Sequence, residues 1–169
     1  MLTFRDATVA DAPALYEAER ATAGITGHLV SEPDELSLAS FVDRINELSD
    51  GRGKYLVAEK SGILVGHASL CPMLLRNTAH VVKLDICVHP GHTSQGHGRA
   101  ILSALVEWAR GRPGPLKIEL LVRSVNEHAI ALYRSAGFAE EGRLRKRVRL
   151  ADGSFCDDLC MALFVDHRS

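Results

Sequence analysis

The stretch Ile86-Cys87-Val88-His89-Pro90-Gly91-His92-Thr93-Ser94-Gln95-Gly96-His97-Gly98-Arg99-Ala100 constrains the fold more than any other part of the chain. The run from Val81 to His89 is apolar and β-branched, stops at Pro90, and reads as a buried strand. After the glycines at 91, 96 and 98, Ile101, Leu102, Leu105, Trp108 and Ala109 share one face of a helix spanning Gly96 to Arg110, which stops at Gly111-Arg112-Pro113. Leu116 to Val122 is the next strand. Strand, helix and strand in that order imply a parallel pair, because the helical crossover carries the chain back to the starting edge.

Hairpins and further helices surround this unit. Leu2 to Arg5 is a short strand, and Thr8 with Asp11 three residues on is a capping-box signature, with Pro13 in the first turn of a helix from about Ala10 to Ala23. Gly24 to Pro33 has no period and reads as a loop able to shape a pocket. From Asp34 onward Leu38, Phe41, Val42, Ile45 and Leu48 mark one face of a second helix. Tyr55 to Lys60, the Ser61-Gly62 turn and Leu64 to Leu70 form a hairpin. Asn126 to Ser135 is a helix ended by Gly137, and strands from about Phe138 to Leu150 and Phe155 to Val165 close the chain. The expected class is α/β (α+β), a mixed and mostly antiparallel sheet of about seven strands flanked by four helices, in one domain spanning 1–169.

Lys and Arg number 20 against 21 Asp and Glu, which argues against a nucleic-acid-coating protein. No apolar run reaches the roughly 18 residues that span a bilayer, and the first residues lack a signal-peptide pattern, so no membrane partner and a cytoplasmic setting are expected. Cys71, Cys87, Cys156 and Cys160 form no C-x-x-C pair, and the spacing of His89, His92 and His97 suits a polar loop better than a metal site. No metal is expected.

The first-turn N–H groups of a helix have no intrahelical partner and favour anions, phosphate above all. The glycine spacing alone fits neither a P-loop nor a dinucleotide-binding fingerprint, and leaves phosphate binding and an ordinary strand–helix turn both open. A second segment, Asn126-Glu127-His128-Ala129-Ile130-Ala131-Leu132-Tyr133-Arg134-Ser135-Ala136-Gly137-Phe138, adds to it. Together with the opening FRDATVADAPAL, the two segments resemble the GCN5-related N-acetyltransferase (GNAT) superfamily over almost the whole chain.

The resemblance implies a V-shaped sheet with acetyl-CoA in the gap between the strands ending at His89 and Val122. It implies that Ile86, Cys87 and Val88 offer backbone groups to the pantetheine arm and the thioester, and that Ser94, Gln95, Gly96, His97, Gly98 and Arg99 cradle the pyrophosphate. Asn126 would bond the pantetheine, and Tyr133 would sit near the sulfur as general acid. Backbone donors near Val88 would serve the oxyanion if the strand bulges there. Thr93 stands where the family usually carries Gln or Arg, a loss expected to weaken phosphate binding without abolishing it.

Lys83 stands where related enzymes often carry a glutamate base, which leaves Asp85, Glu119 or a water relay for that task. Asp85 is taken as the candidate, with a structural ion pair as its other reading. Arg143, Arg145, Arg147 and Arg149 share one parity and would line one face of a strand, read as the solvated face of a sheet edge rather than an anion-binding ribbon.

The tail, with Gly-Phe-x-x-Glu-Gly and Asp-Gly-x-Phe-x-Asp, is similar to the subgroup of phosphinothricin and small L-amino-acid N-acetyltransferases, and to ribosomal-protein N-terminal acetyltransferases. The expected activity is acetyl-CoA-dependent transfer to the primary amine of a small molecule by direct attack in a ternary complex. A peptide N-terminal acetyltransferase and a non-catalytic acyl-CoA-binding regulatory module are the alternatives. A homodimer is a further expectation carried by the resemblance.

Overall fold

The computed structural model describes residues 1–165 of the chain. Strand β1 (Leu2–Asp6) and a 3-10 turn lead to helix α1 (Ala12–Ala23), then come α2 (Leu38–Leu48), β2 (Lys54–Lys60), β3 (Ile63–Pro72) and β4 (Val81–Val88). Helix α3 (His97–Arg110), β5 (Lys117–Arg123), α4 (Glu127–Ser135), β6 (Ala139–Arg149) and β7 (Phe155–Phe164) complete the order. Among the described residues the sheet has seven strands in the order β1-β2-β3-β4-β5-β7-β6. As the strand–helix–strand reading requires, β4 and β5 run parallel, whereas β1–β2, β2–β3, β3–β4, β5–β7 and β6–β7 are antiparallel. No described helix is long and apolar enough to cross a membrane.

The run Tyr55-Leu56-Val57-Ala58 is apolar without alternation because β2 is buried on both faces. Leu56 and Ala58 join Ile101, Leu102 and Leu105 of α3, Ile130 of α4 and the apolar faces of β4, β5 and β7 in the larger core cluster. Tyr55 and Val57 point the other way, into a smaller cluster with Ala12 and Leu15 of α1 and Phe41, Ile45 and Leu48 of α2. The sheet therefore lies between an α1/α2 layer and an α3/α4 layer. On the first side α2 starts later than expected, at Leu38, because the Ser37 hydroxyl caps it by accepting from the Ser40 N–H.

The expected face of four arginines is interrupted. Leu144 pairs with Asp158 but Val148 pairs with Cys156, so β6 carries extra residues here, and Lys146 takes φ 49° with its N–H donating to Asp157 at 2.8 Å. Arg143 is drawn to Asp157 and Glu140, and the Arg149 guanidinium covers the Phe155 ring at 5.2 Å. These cations are engaged with their own strand pair, away from the gap between β4 and β5.

At the start of α1 the capping box is present. The Asp11 carboxylate accepts from the Thr8 N–H at 2.7 Å and hydroxyl at 3.0 Å, and the Arg5 guanidinium donates to both of its oxygens at 2.8 Å. These bonds, Arg5 first, hold the Asp11 carboxyl down at about 2, against the opposing effect of burial. A carboxyl whose folded value lies below its unfolded one stabilises fully above the ordinary carboxylate range, and that stability is lost as pH falls toward the folded value. The contribution is about 1–2 kcal/mol once the exposure of Arg5 is allowed for. Denaturant titrations should therefore show stability dropping between about pH 4 and pH 2, with a shallower drop in Asp11→Asn.

Candidate active site

Strands β4 and β5 are in register only at Val81 with Lys117, Val82 with Ile118 and Lys83 with Glu119. Beyond these pairs they separate around a cavity of about 650 Å³. The Met73 N–H bonds to the Val81 carbonyl and the His89 N–H to the Val65 carbonyl, so odd-numbered peptide groups of β4 face β3. By the alternation of an antiparallel ladder, Ile86 and Val88 turn their amides and carbonyls toward the gap. The Cys87 peptide faces β3, although Cys87 lines the cavity with other atoms. The β3–β4 register runs without a shift, so it is strand separation, and not a bulge near Val88, that exposes these groups.

At the cavity's α3 end, Thr93, Ser94, Gly96, Gly98 and Arg99 line the wall. Ser94 at φ 60° and Gly96 at φ 81° turn the loop so that α3 begins at His97. A Cβ on Gly96 would meet nothing within 4 Å, so its glycine answers to backbone conformation. A Cβ on Gly98 would lie 3.3 Å from Leu132 and 3.4 Å from Val88, so that glycine answers to close packing. Two predicted loop residues do not line the cavity. Gln95 folds back to donate to the Gly91 carbonyl at 3.2 Å, and His97 is buried with its Nε2 unpartnered among the described residues. Burial, followed by Lys60 and His92, pushes the His97 pKa down.

Along the α4 wall lie Asn126 and Tyr133. Asn126 Oδ1 caps α4 by accepting from the Ala129 N–H at 3.2 Å, so a ligand bond from this side chain would come from its NH2. Tyr133 packs against Phe138 at 5.8 Å. Burial first and Asp85 second hold its phenol above the ordinary range, so it stays protonated near neutrality. Arg123, also in the wall, is bound in a buried pair with Asp158 at 2.6 Å.

The opposite end is polar and was not foreseen apart from Asp85. Asp85 meets Arg44 of α2 at 3.4 Å. Its side chain keeps 67% of its accessible area toward the cavity, yet protein crowds it on most sides, and this burial, with Glu19, raises its pKa against the pull of Arg44. Glu19 of α1 lines the same cavity and contacts His67 of β3 at 3.0 Å. A side cavity of about 60 Å³ is bounded by Glu19, Leu29, Arg44, Tyr55, His67 and Asp85, among others. No sequence spacing links these residues, which α1, α2, β2, β3, β4 and the loop after α1 bring together. Glu119, the other carboxylate considered as a base, is tied to Lys117 at 2.8 Å and does not line the cavity. Burial pushes the Cys87 thiol up to about 12, which makes it a poor nucleophile. Among the described residues no group of His, Cys, Asp or Glu is placed to hold a metal.

Residues 13–138 match the model of the Acetyltransferase (GNAT) family. The chain is 34% identical to the N-alpha-acetyltransferase RimI of Mycobacterium tuberculosis over 62% of its own length and 64% of that protein. It is 30% identical to the L-amino acid N-acyltransferase MnaT of Escherichia coli over 68% of this chain and 66% of that one. In both cases the match spans just under two thirds of the relative. Among solved structures, yncA of Salmonella typhimurium, determined with its cofactor acetyl-CoA, superposes with a TM-score of 0.89 at 25% identity, over 100% of this chain and 96% of that one.

Because Gly96 sits at φ 81° in open space, Gly96→Ala should destabilise the protein by about 1–2 kcal/mol through backbone strain. Gly96→Asn, which tolerates the left-handed region, should lose less in the same denaturant melts.

Proposed function

Since the chain belongs to the GNAT family of acetyltransferases, we propose that it catalyses acetyl-CoA-dependent N-acetylation of the primary amine of a small molecule, an amino acid or its analogue. The observation that carries this reading is one cavity lined by the loop at the α3 N-terminus, the unpaired edge of β4, and Asp85 and Glu19, with Arg44 beside Asp85. One end suits an anionic cosubstrate and the other a cationic acceptor.

In this reading the first-turn N–H groups of α3 and the Ser94–Arg99 loop hold the pyrophosphate. The Ile86 and Val88 peptide groups align the pantetheine arm and stabilise negative charge on the thioester oxygen, Cys87 forms part of the wall, and the Asn126 NH2 adds a donor. Tyr133, held protonated by burial, gives its proton to the departing sulfur. Asp85 anchors the acceptor ammonium. Because Arg44 stands beside it, the two side chains together complement the ammonium and carboxylate of an amino acid. His28, Leu29, Val30 and Ser31 wall the acceptor side, which favours a small acceptor over a peptide. A cytoplasmic setting and a homodimer complete the reading.

Acetyl-CoA at about 100 times its dissociation constant should raise Tm by roughly 5–10 °C. A panel of L-amino acids, L-methionine sulfone, L-methionine sulfoximine, phosphinothricin and an N-terminal ribosomal-protein peptide, read by release of free CoA thiol, should give turnover on a small amine. Turnover of the peptide alone would make the protein an N-terminal acetyltransferase, and a Tm rise without thiol release would make it a binding module. Tyr133→Phe should lower kcat about 100-fold with little change in KM for acetyl-CoA. An unchanged kcat would remove Tyr133 as the acid.

A further inference from the structure

A row of polar contacts runs from the core to the acceptor end of the cavity. His89 Nδ1 lies 3.1 Å from the Leu64 carbonyl oxygen, His89 Nε2 lies 2.9 Å from His67 Nδ1, and His67 Nε2 lies 3.0 Å from Glu19 Oε2. Both imidazoles are buried, whereas Glu19 keeps 25% of its side-chain area exposed.

Counting protons along this row yields a surplus. The Leu64 carbonyl can only accept, so His89 Nδ1 carries a proton and donates it. Neutral His89 then offers a lone pair at Nε2, and the bond between the rings takes the Nδ1 proton of His67. A neutral His67 has no second proton, and its Nε2 lone pair would face a carboxylate oxygen at 3.0 Å. Two acceptors at that distance repel, so a proton lies between them. It is one titrating unit, whether drawn as imidazolium with carboxylate or as imidazole with carboxylic acid. The surplus does not sit on His89, whose pKa is pushed down to about 4 by burial first and His67 second.

We propose that Glu19 and His67 together form the proton acceptor for the incoming ammonium, and that His89 is a positioning residue that fixes the His67 tautomer. The proposal rests on the acetyl-transfer reading and names the base that reading left open. The unit acts as a base once its shared proton has left to solvent through Glu19. The ammonium then gives one proton to the Glu19–His67 unit, and the freed nitrogen lone pair forms the N–C bond to the acetyl carbon. The C–S bond breaks with its electron pair going to sulfur. The second nitrogen proton replaces the one that Tyr133 delivers to sulfur, so acetyl-CoA and ammonium yield amide, CoA thiol and one proton held by the unit.

The groups around His67 suit a ring that alternates in charge. Tyr55 of β2 stacks on it at 6.0 Å and Phe41 of α2 meets it edge-on at 6.4 Å. Ser69 of β3 and Cys87 of β4 are neutral neighbours, the thiol being pushed up by burial, and His92 lies beyond His89. The nearby charged groups are Arg44 and Asp85, which offset each other.

The test is histidine 15N NMR of the full chain over a pH series, without substrate, together with kinetics. His89 should remain a neutral Nδ1–H ring, and the His67 Nε2 signal should be that of a nitrogen sharing a proton with Glu19, changed in Glu19→Gln. A His89 proton on Nε2, or a His67 Nε2 signal that Glu19→Gln does not change, overturns the proposal whatever the acceptor proves to be. With an acceptor from the panel, Glu19→Gln should lower kcat at least about 100-fold and flatten the rising limb of the pH profile, with the acetyl-CoA-induced rise in Tm retained. His89→Leu should move that limb to lower pH, a change that partial unfolding alone would not produce. Asp85→Asn should act mainly on acceptor KM. If acetyl-CoA binds and is turned over while Glu19→Gln keeps kcat within about threefold, the base assignment falls and the acetyl-transfer reading stands. If acetyl-CoA neither binds nor is turned over, that reading falls, and the NMR titrations still decide the shared proton.

Discussion

Peptide groups on the edge of a strand must be met by a neighbouring strand, by water or by a ligand, because leaving them buried and unmet costs as much as a lost hydrogen bond. For β4 the neighbouring strand serves only as far as Lys83, and the Ile86 and Val88 peptides lie past that point. Both ends of the sheet are antiparallel, and the separation that opens the cavity falls at the parallel pairing of β4 with β5, where α3 crosses over. The separation makes the cavity, presents main-chain donors along its length, and directs it from the α3 N-terminus to the residues of α1 and α2.

The two faces of the sheet then divide the chemistry. Ile86 and Val88 pack with the α3/α4 layer, whose contribution is helix N–H groups, a capping asparagine and a protonated tyrosine. Asp85 and Cys87 face α1 and α2, and the ionisable groups collect there: Glu19 from α1, Arg44 from α2, His67 from β3. Such a cluster is tolerated only because its members satisfy one another. Residues 1–95 carry a net charge of −4 and residues 96–169 a net of +3, but the β6 arginines that supply much of the latter lie away from the cavity, whose wall takes only Arg99 and Arg123 among the described cations of that half.

Local signals made much of the fold legible. Ser61-Gly62 marked a hairpin, the spacing of Leu38, Phe41, Ile45 and Leu48 marked α2, and Gly96 marked the entry to α3, because each depends on a few adjacent residues. The β6 arginines do lie exposed on the edge strand, as expected, but the break in their face was not legible. Simple alternation predicts one face, but the irregular register between Leu144 and Val148 depends on Asp157 of the partner strand, which no window along β6 contains. The α1/α2 side of the cavity was least legible. Glu19, His67 and His89 are far apart in sequence and sit on different elements, so only the folded sheet reveals the hydrogen-bonded row they form.

The central claim is that the open edge of β4 receives the cosubstrate through its even-numbered peptides. Amide hydrogen exchange resolved to single residues tests it directly, with and without acetyl-CoA. In the free protein the Cys87 amide should already be protected by β3, while those of Ile86 and Val88 exchange fast; acetyl-CoA should slow Ile86 and Val88 and leave Cys87 nearly unchanged. Protection of Ile86 and Val88 in the free protein, or an absence of any change there when acetyl-CoA is bound, would contradict the account.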